Sequence, residues 1–189
     1  MKTNAYHSSF FCSYRFYFFF LLIPVMQGCP YYSPFKLDSL PQNYINENIV
    51  GNWQGNISDE LGTNRTVNVC LSKKNDNEYD VLVCGAFQKN EKKKKVESKD
   101  TIVGTAYLSY LANRQFLNIA FEKKYYIAEI KYDSDELSIL PLDESFSSKI
   151  IRSDEQLNKA VLYHYKSRLF PKYDESLSLK YMKRIKDPS

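Results

Sequence analysis

Four short runs of β-forming residues follow one another between Thr101 and Leu142, each separated from the next by a few polar residues. The runs are Thr101–Leu111, Gln115–Phe121, Tyr125–Tyr132 and Glu136–Leu142, and the breaks are Ala112-Asn113-Arg114, Glu122-Lys123-Lys124 and Asp133-Ser134-Asp135. Short strands at roughly 8–12-residue spacing with polar turns between them mark an antiparallel sandwich or barrel. Upstream, Arg65–Ser72 alternates, with Val67, Val69 and Leu71 on one side and Asn68 and Cys70 on the other. Tyr79–Phe87 follows the polar bend Lys73-Lys74-Asn75-Asp76-Asn77-Glu78, as a second strand follows a turn.

Ser153 changes the period. Ser153-Asp154-Glu155-Gln156 reads as a capping box, with Ser153 as N-cap and Gln156 reaching back. Leu157, Ala160, Val161 and His164 share one helical face, and Phe170-Pro171 ends the helix. Leu177, Leu179 and Tyr181 alternate again, predicting a last strand before the basic tail Lys183-Arg184-Ile185-Lys186. The expected fold is mainly β, with about eight antiparallel strands in a meander barrel or strongly curved sheet and one helix before the last strand.

Folding Arg65–Phe87 about Asn77 sets Leu71 opposite Val83 and Cys70 opposite Cys84. Directly opposed positions bring Cα atoms to about 4.5–5.5 Å, within disulfide reach. This predicts a Cys70–Cys84 bridge on the face away from Val67, Val69 and Leu71, with two packed free thiols as the alternative.

The N-terminus reads as an address. Lys2, His7 and Arg15 accompany the apolar run Phe16–Met26, and no acidic residue occurs before Asp38. A basic start, a short apolar middle and a small residue before a cut are the parts of a secretory signal. The run falls short of the roughly 20 residues that a spanning helix needs. Val25-Met26-Gln27-Gly28-Cys29 resembles the lipobox of bacterial lipoproteins, with Gly28 as the small residue and Met26 where Leu is usual. The resemblance implies cleavage before Cys29, acyl chains on Cys29 and a lipid anchor in the cell envelope, in the outer membrane facing the periplasm. An ordinary cleaved signal and an uncleaved anchor are the other readings. The expected division is a signal peptide at 1–28, a Pro-, Ser- and Asn-containing tether at 29–47 and a β domain at 48–189. Losing the first 28 of 189 residues leaves 161, and losing Lys2 and Arg15 takes the formal charge from +4 to +2. No nucleic-acid footprint remains at that charge. An exported chain also suits the disulfide.

Gly51-Asn52-Trp53 opens the first strand and contains the chain's only tryptophan. It resembles the lipocalin and wider calycin signature. That resemblance implies a barrel closed at one end by Trp53, with a basic side chain of the last strand, Lys180 or Arg184, packed across it. A helix before the last strand departs from the usual lipocalin order, in which the main helix follows the eighth strand.

Only His7 and His164 occur, and His7 lies in the signal. Multi-histidine metal sites are thereby excluded, and a Ser/His/acid triad would depend on His164, which reads as a packed helix histidine. No Gly-rich phosphate loop, Cys-x-x-Cys or His-Glu-x-x-His is present. No catalytic residue, metal or cofactor is expected. Lys89, Lys92, Lys93, Lys94, Lys95 and Lys99 read as a solvated loop, with contact to anionic lipid or polysaccharide as the sharper alternative. The expected function is a non-enzymatic envelope lipoprotein whose partners are the membrane, through Cys29, and an apolar small molecule or an envelope protein. Trp53, Tyr107, Tyr110, Phe116, Phe121 and Tyr125 are the candidate ligand lining, against the alternative that they fill a dry core. An inhibitor or immunity-type lipoprotein that blocks another protein is the competing function.

Overall fold

The structure, a computed structural model, describes residues 32–58, 64–85, 101–143, 151–166 and 173–185. The expected signal, Cys29 and the Lys89–Lys99 run lie outside them. Eight strands pair in sequence order: β2 (Gly51–Ser58), β3 (Asn64–Lys73), β4 (Glu78–Cys84), β5 (Thr101–Leu111), β6 (Arg114–Phe121), β7 (Lys124–Asp133), β8 (Glu136–Pro141) and β9 (Leu179–Ile185). β9 then pairs back onto β2, so the sheet closes into an antiparallel up-and-down barrel. The short β1 (Tyr32–Ser33) is the extra strand. It pairs with Tyr125 and Tyr126 of β7, beyond Ala128, where β8 stops.

Three of the connections are two-residue turns with both residues at positive φ: Ala112 and Asn113, Glu122 and Lys123, Ser134 and Asp135. Two positive-φ residues make the type I′ turn, whose twist matches that of the flanking strands. Alternation then sends one side of every strand into the barrel. Ile49, Trp53, Val69, Leu71, Tyr79, Leu108, Leu117, Ile130, Leu137 and Met182 are among the residues of that interior.

A second apolar cluster lies on the outer wall. Helix α1 (Asp154–Lys166) sets Leu157 and Val161 against Phe116, Ile127 and Leu142, and Leu37 completes the cluster. The Gln156 N–H donates to Ser153 Oγ at 3.2 Å, and Gln156 Oε1 accepts from the Arg152 N–H at 2.9 Å. The capping box is thus present, with its return bond one residue earlier than expected.

Three sequence expectations need correction. The first is the tether, because from Tyr32 onward the chain is strapped to the barrel rather than hanging free. The Leu37 N–H donates to Asn118 Oδ1 (2.8 Å), the Lys36 N–H to Asp154 Oδ1 (3.0 Å), and Asn43 Nδ2 to the Leu108 carbonyl (3.0 Å). The Asn and Ser side chains that suggest a spacer instead make the turn and cross-barrel bonds of a packed strap.

The second correction is the disulfide. Lys73 pairs with Tyr79, which centres the β3–β4 turn on Asp76 rather than Asn77, and Lys74 and Asn75 donate their N–H groups to the Glu78 carbonyl. Moving the centre by one residue slides the pairing by two. The faces are preserved but the partners change: Cys70 opposes Leu82, and Cys84 opposes Asn68. Both cysteines are free thiols, half-buried on the outer face.

The third concerns β9, where Leu179 and Met182 are buried and Tyr181 points outward at φ 54°. Leu137 pairs with Met182 and Ile139 with Leu179, so β9 carries one extra residue, a bulge. The Tyr181 N–H freed from the ladder donates to Ser138 Oγ at 3.0 Å.

Candidate functional site

The bulge decides what stands inside the lower end of the barrel. Without the extra residue, strict alternation from Leu179 would turn Tyr181 and Lys183 inward. With it, Met182 and Arg184 face in, and Arg184 falls directly opposite Trp53. Its guanidinium lies 4.4 Å from the indole ring, close enough for a cation–π contact. Arg184 Nη1 donates to the Val50 carbonyl and Nη2 to the Asn48 carbonyl, each at 2.6 Å. Of the two candidate basic partners for Trp53, Arg184 is the one in place, while Lys180 pairs with Glu175 outside. Gly51 makes the arrangement possible, because a Cβ there would sit 2.5 Å from Arg184 Nη1.

Trp53 itself is fully buried, donates Nε1–H to the Ile49 carbonyl at 2.8 Å and meets Tyr132 edge-on. The 3₁₀ turn Glu47–Ile49 precedes it and buries Ile49. Beside it, Tyr79 Oη accepts the Asn46 N–H at 2.5 Å. Burial pushes the Tyr79 hydroxyl up to about 12, against an ordinary 10.0. This end of the barrel is closed.

The other end is not filled. A cavity of about 220 Å³ lies there, walled by inward residues of β2 to β9 and by Leu177 just before β9. Ile57 on β2, Val67, Val69 and Leu71 on β3, Val81 and Val83 on β4, Leu117, Ile119 and Phe121 on β6, and Leu179 on β9 contribute to the wall. Gly104 supplies a stretch with no side chain, and a Cβ there would run into the Ala120 carbonyl oxygen, so β5 and β6 need glycine to approach. The lining is almost wholly apolar. An enclosed apolar cavity of about 150 Å³ is enough to hold benzene. Drug-sized ligands occupy pockets from about 300 Å³ upward. The space therefore suits one small apolar molecule, or the apolar part of a larger one.

Of the six aromatics expected to line a ligand site, Phe121 does so. Trp53 is the plug at the closed end. Tyr110 is half exposed, beyond the buried Leu108 on the way to the β5–β6 turn. Tyr107, Phe116 and Tyr125 point outward: Tyr107 donates its hydroxyl to the Asp38 carbonyl of the strap, Phe116 packs edge-on to Tyr165 of α1, and Lys36 lies over the Tyr125 ring. Alternation assigns these sides, because Ala106, Leu108, Leu117 and Ala128 face in. The aliphatic wall was missed by weighting aromatics. Its signal was the Val67, Val69, Leu71 alternation.

A polar constellation sits outside the barrel, under α1. Glu129 is buried; its Oε1 accepts from Arg114 Nη1 at 2.9 Å, and its Oε2 accepts from the hydroxyls of Tyr165 (2.6 Å) and Tyr173. Burial, then the carboxylate, pushes both tyrosine hydroxyls well above their ordinary range. Both carboxylate oxygens are bonded, so the cluster acts as a clamp holding the helix and the segment before β9 to the wall. Among the described residues, no group of three or more His, Cys, Asp or Glu side chains is placed to hold a metal ion.

No protein-family model matches the chain, and no curated protein matches it. Among solved structures, a redesigned beta barrel is similar at 13% identity over 52% of this chain and 82% of the other, with a TM-score of 0.34. The barrel assignment rests on the strand pairing alone.

Proposed function

We propose that the barrel is a non-enzymatic carrier or sensor that takes a small apolar ligand, or the apolar part of an amphiphile, into the cavity opposite Trp53. The apolar wall carries this reading, because it offers a large gain for burying apolar surface, with Tyr126 the one lining residue that has a polar side-chain atom. The setting is an envelope lipoprotein anchored through lipid on Cys29, in the outer membrane facing the periplasm. The basic start, the apolar run Phe16–Met26 and the Gly28-Cys29 junction support it. No helix among the described residues is long and apolar enough to cross a membrane.

Native mass spectrometry of detergent-extracted mature protein tests both parts. The expected chain begins at an acylated Cys29 and carries a small apolar mass, lost on collisional activation and restored by added benzene-sized probes. A chain that starts elsewhere without lipid refutes the anchor. A chain that takes up no probe refutes the ligand site.

A further inference from the structure

The inward face of β7 runs from one end of the barrel to the other. Tyr132 meets Trp53 at the closed end, Ile130 and Ala128 lie in the interior, and Tyr126 lines the cavity. Tyr126 is about 20 Å of extended strand away from Tyr132. It is half-buried, and among the described residues its hydroxyl has no hydrogen-bond partner. Tyr32 of the strap pairs with Tyr126 and sets its ring centroid 6.3 Å away. Lys124 holds the next position on the same face of β7 and pairs with Phe121 of the cavity wall. Its ammonium lies 4.1 Å from the centre of the Tyr32 ring, and it joins no ion pair among the described residues. Arg65, one inward position beyond Val67 on β3 and paired with Ile57, brings a second cation to this end.

We propose that Tyr126 and Lys124 form a headgroup subsite beside the cavity, and that the ligand is a single-tailed amphiphile with a carboxylate head. The inference rests on the ligand reading above and names the chemical class. The tail lies against the aliphatic wall. The head stays at the Tyr126 end, where the hydroxyl donates to one carboxylate oxygen and the Lys124 ammonium supplies the opposite charge. Such charge-assisted bonds are about twice as strong as neutral ones. Tyr126, half-buried in the wall, contributes more than Lys124, whose exposed charge is screened by water. With the rest of the lining apolar, the opposite orientation would bury the carboxylate without a partner.

Calorimetric titration of the folded protein with octanoate, 1-octanol and benzene at neutral pH provides the test. Tyr126→Phe should weaken octanoate binding about tenfold. Lys124→Met should weaken it about threefold and lower the affinity for octanoate relative to 1-octanol, and Lys124→Arg should restore both. Benzene, which has no head group, should bind all the variants as it binds the unmodified protein, which also shows that they fold. Octanoate affinity unchanged in either Tyr126→Phe or Lys124→Met overturns the inference. Binding of benzene without octanoate also overturns it, while leaving the apolar site standing. Failure of all three probes to bind the unmodified protein overturns both.

Discussion

At one end of the barrel Trp53 is fully buried, its N–H bonded to Ile49 and its ring covered by Arg184, whose guanidinium binds two carbonyls. At the other, Ile57, Val67, Ile119 and Phe121 face about 220 Å³ of empty space. The same eight strands build both. At the closed end large side chains fill the interior and the polar groups named above are paired; at the open end Gly104 and mostly aliphatic residues leave room, and the lining is almost wholly apolar. A filled end and a hollow end are therefore separated along the barrel axis. Under the proposed function, the filled end would stay rigid while the hollow end exchanged a ligand.

The comparison breaks most sharply under truncation. Trp53→Ala should cost about 3–5 kcal/mol, since a large aromatic leaves a cavity that the closed end cannot refill. Chemical denaturation measures it; a loss near 1 kcal/mol would mean that the two ends are packed alike. Alkali should come next in size. The raised Tyr79 hydroxyl favours the protonated form in the folded state, so its contribution is complete below pH 10 and fades as pH rises toward about 12. The full loss is on the order of 2 kcal/mol. Tyr107, Tyr165 and Tyr173, all shifted upward by burial, add in the same direction. Denaturation midpoints should hold steady up to about pH 9 and fall above pH 10, and Tyr79→Phe should flatten the fall. The smallest effect has the opposite sign. Val67→Phe fills the cavity and should raise stability by about 0.5–2 kcal/mol while reducing uptake of benzene or short alcohols. A destabilised Val67→Phe would mean that the space is not there to fill.

Much of this division was legible in the residues. Thr101–Leu111 was bounded to the residue, and the other runs of the strand series to within one or two, because polar two-residue turns interrupt them sharply. The resemblance carried by Gly51-Asn52-Trp53 implied a barrel end closed by Trp53 with a basic side chain across it, and Trp53 is buried under Arg184. What stayed hidden depended on counts of one. A single-residue error in the β3–β4 turn centre kept Cys70 and Cys84 on the right face but opposite the wrong partners. A single extra residue at Tyr181 turned Met182 and Arg184 inward, which simple alternation cannot foresee. The cavity was hidden for another reason: it is made by side chains that are absent, as at Gly104, and by modest ones such as Val67 and Val83. The six aromatics drew attention because they bury large areas, and three of them serve the strap and helix on the outer wall instead.

The separation of the two ends is tested most directly by a methyl and indole NMR titration with benzene. The account predicts shifts concentrated on the methyl groups of Val67, Val69, Leu117 and Ile119, with the Trp53 indole N–H, the chain's single such signal, unmoved. Absence of shifts at saturating benzene, or shifts centred on Trp53, would contradict it.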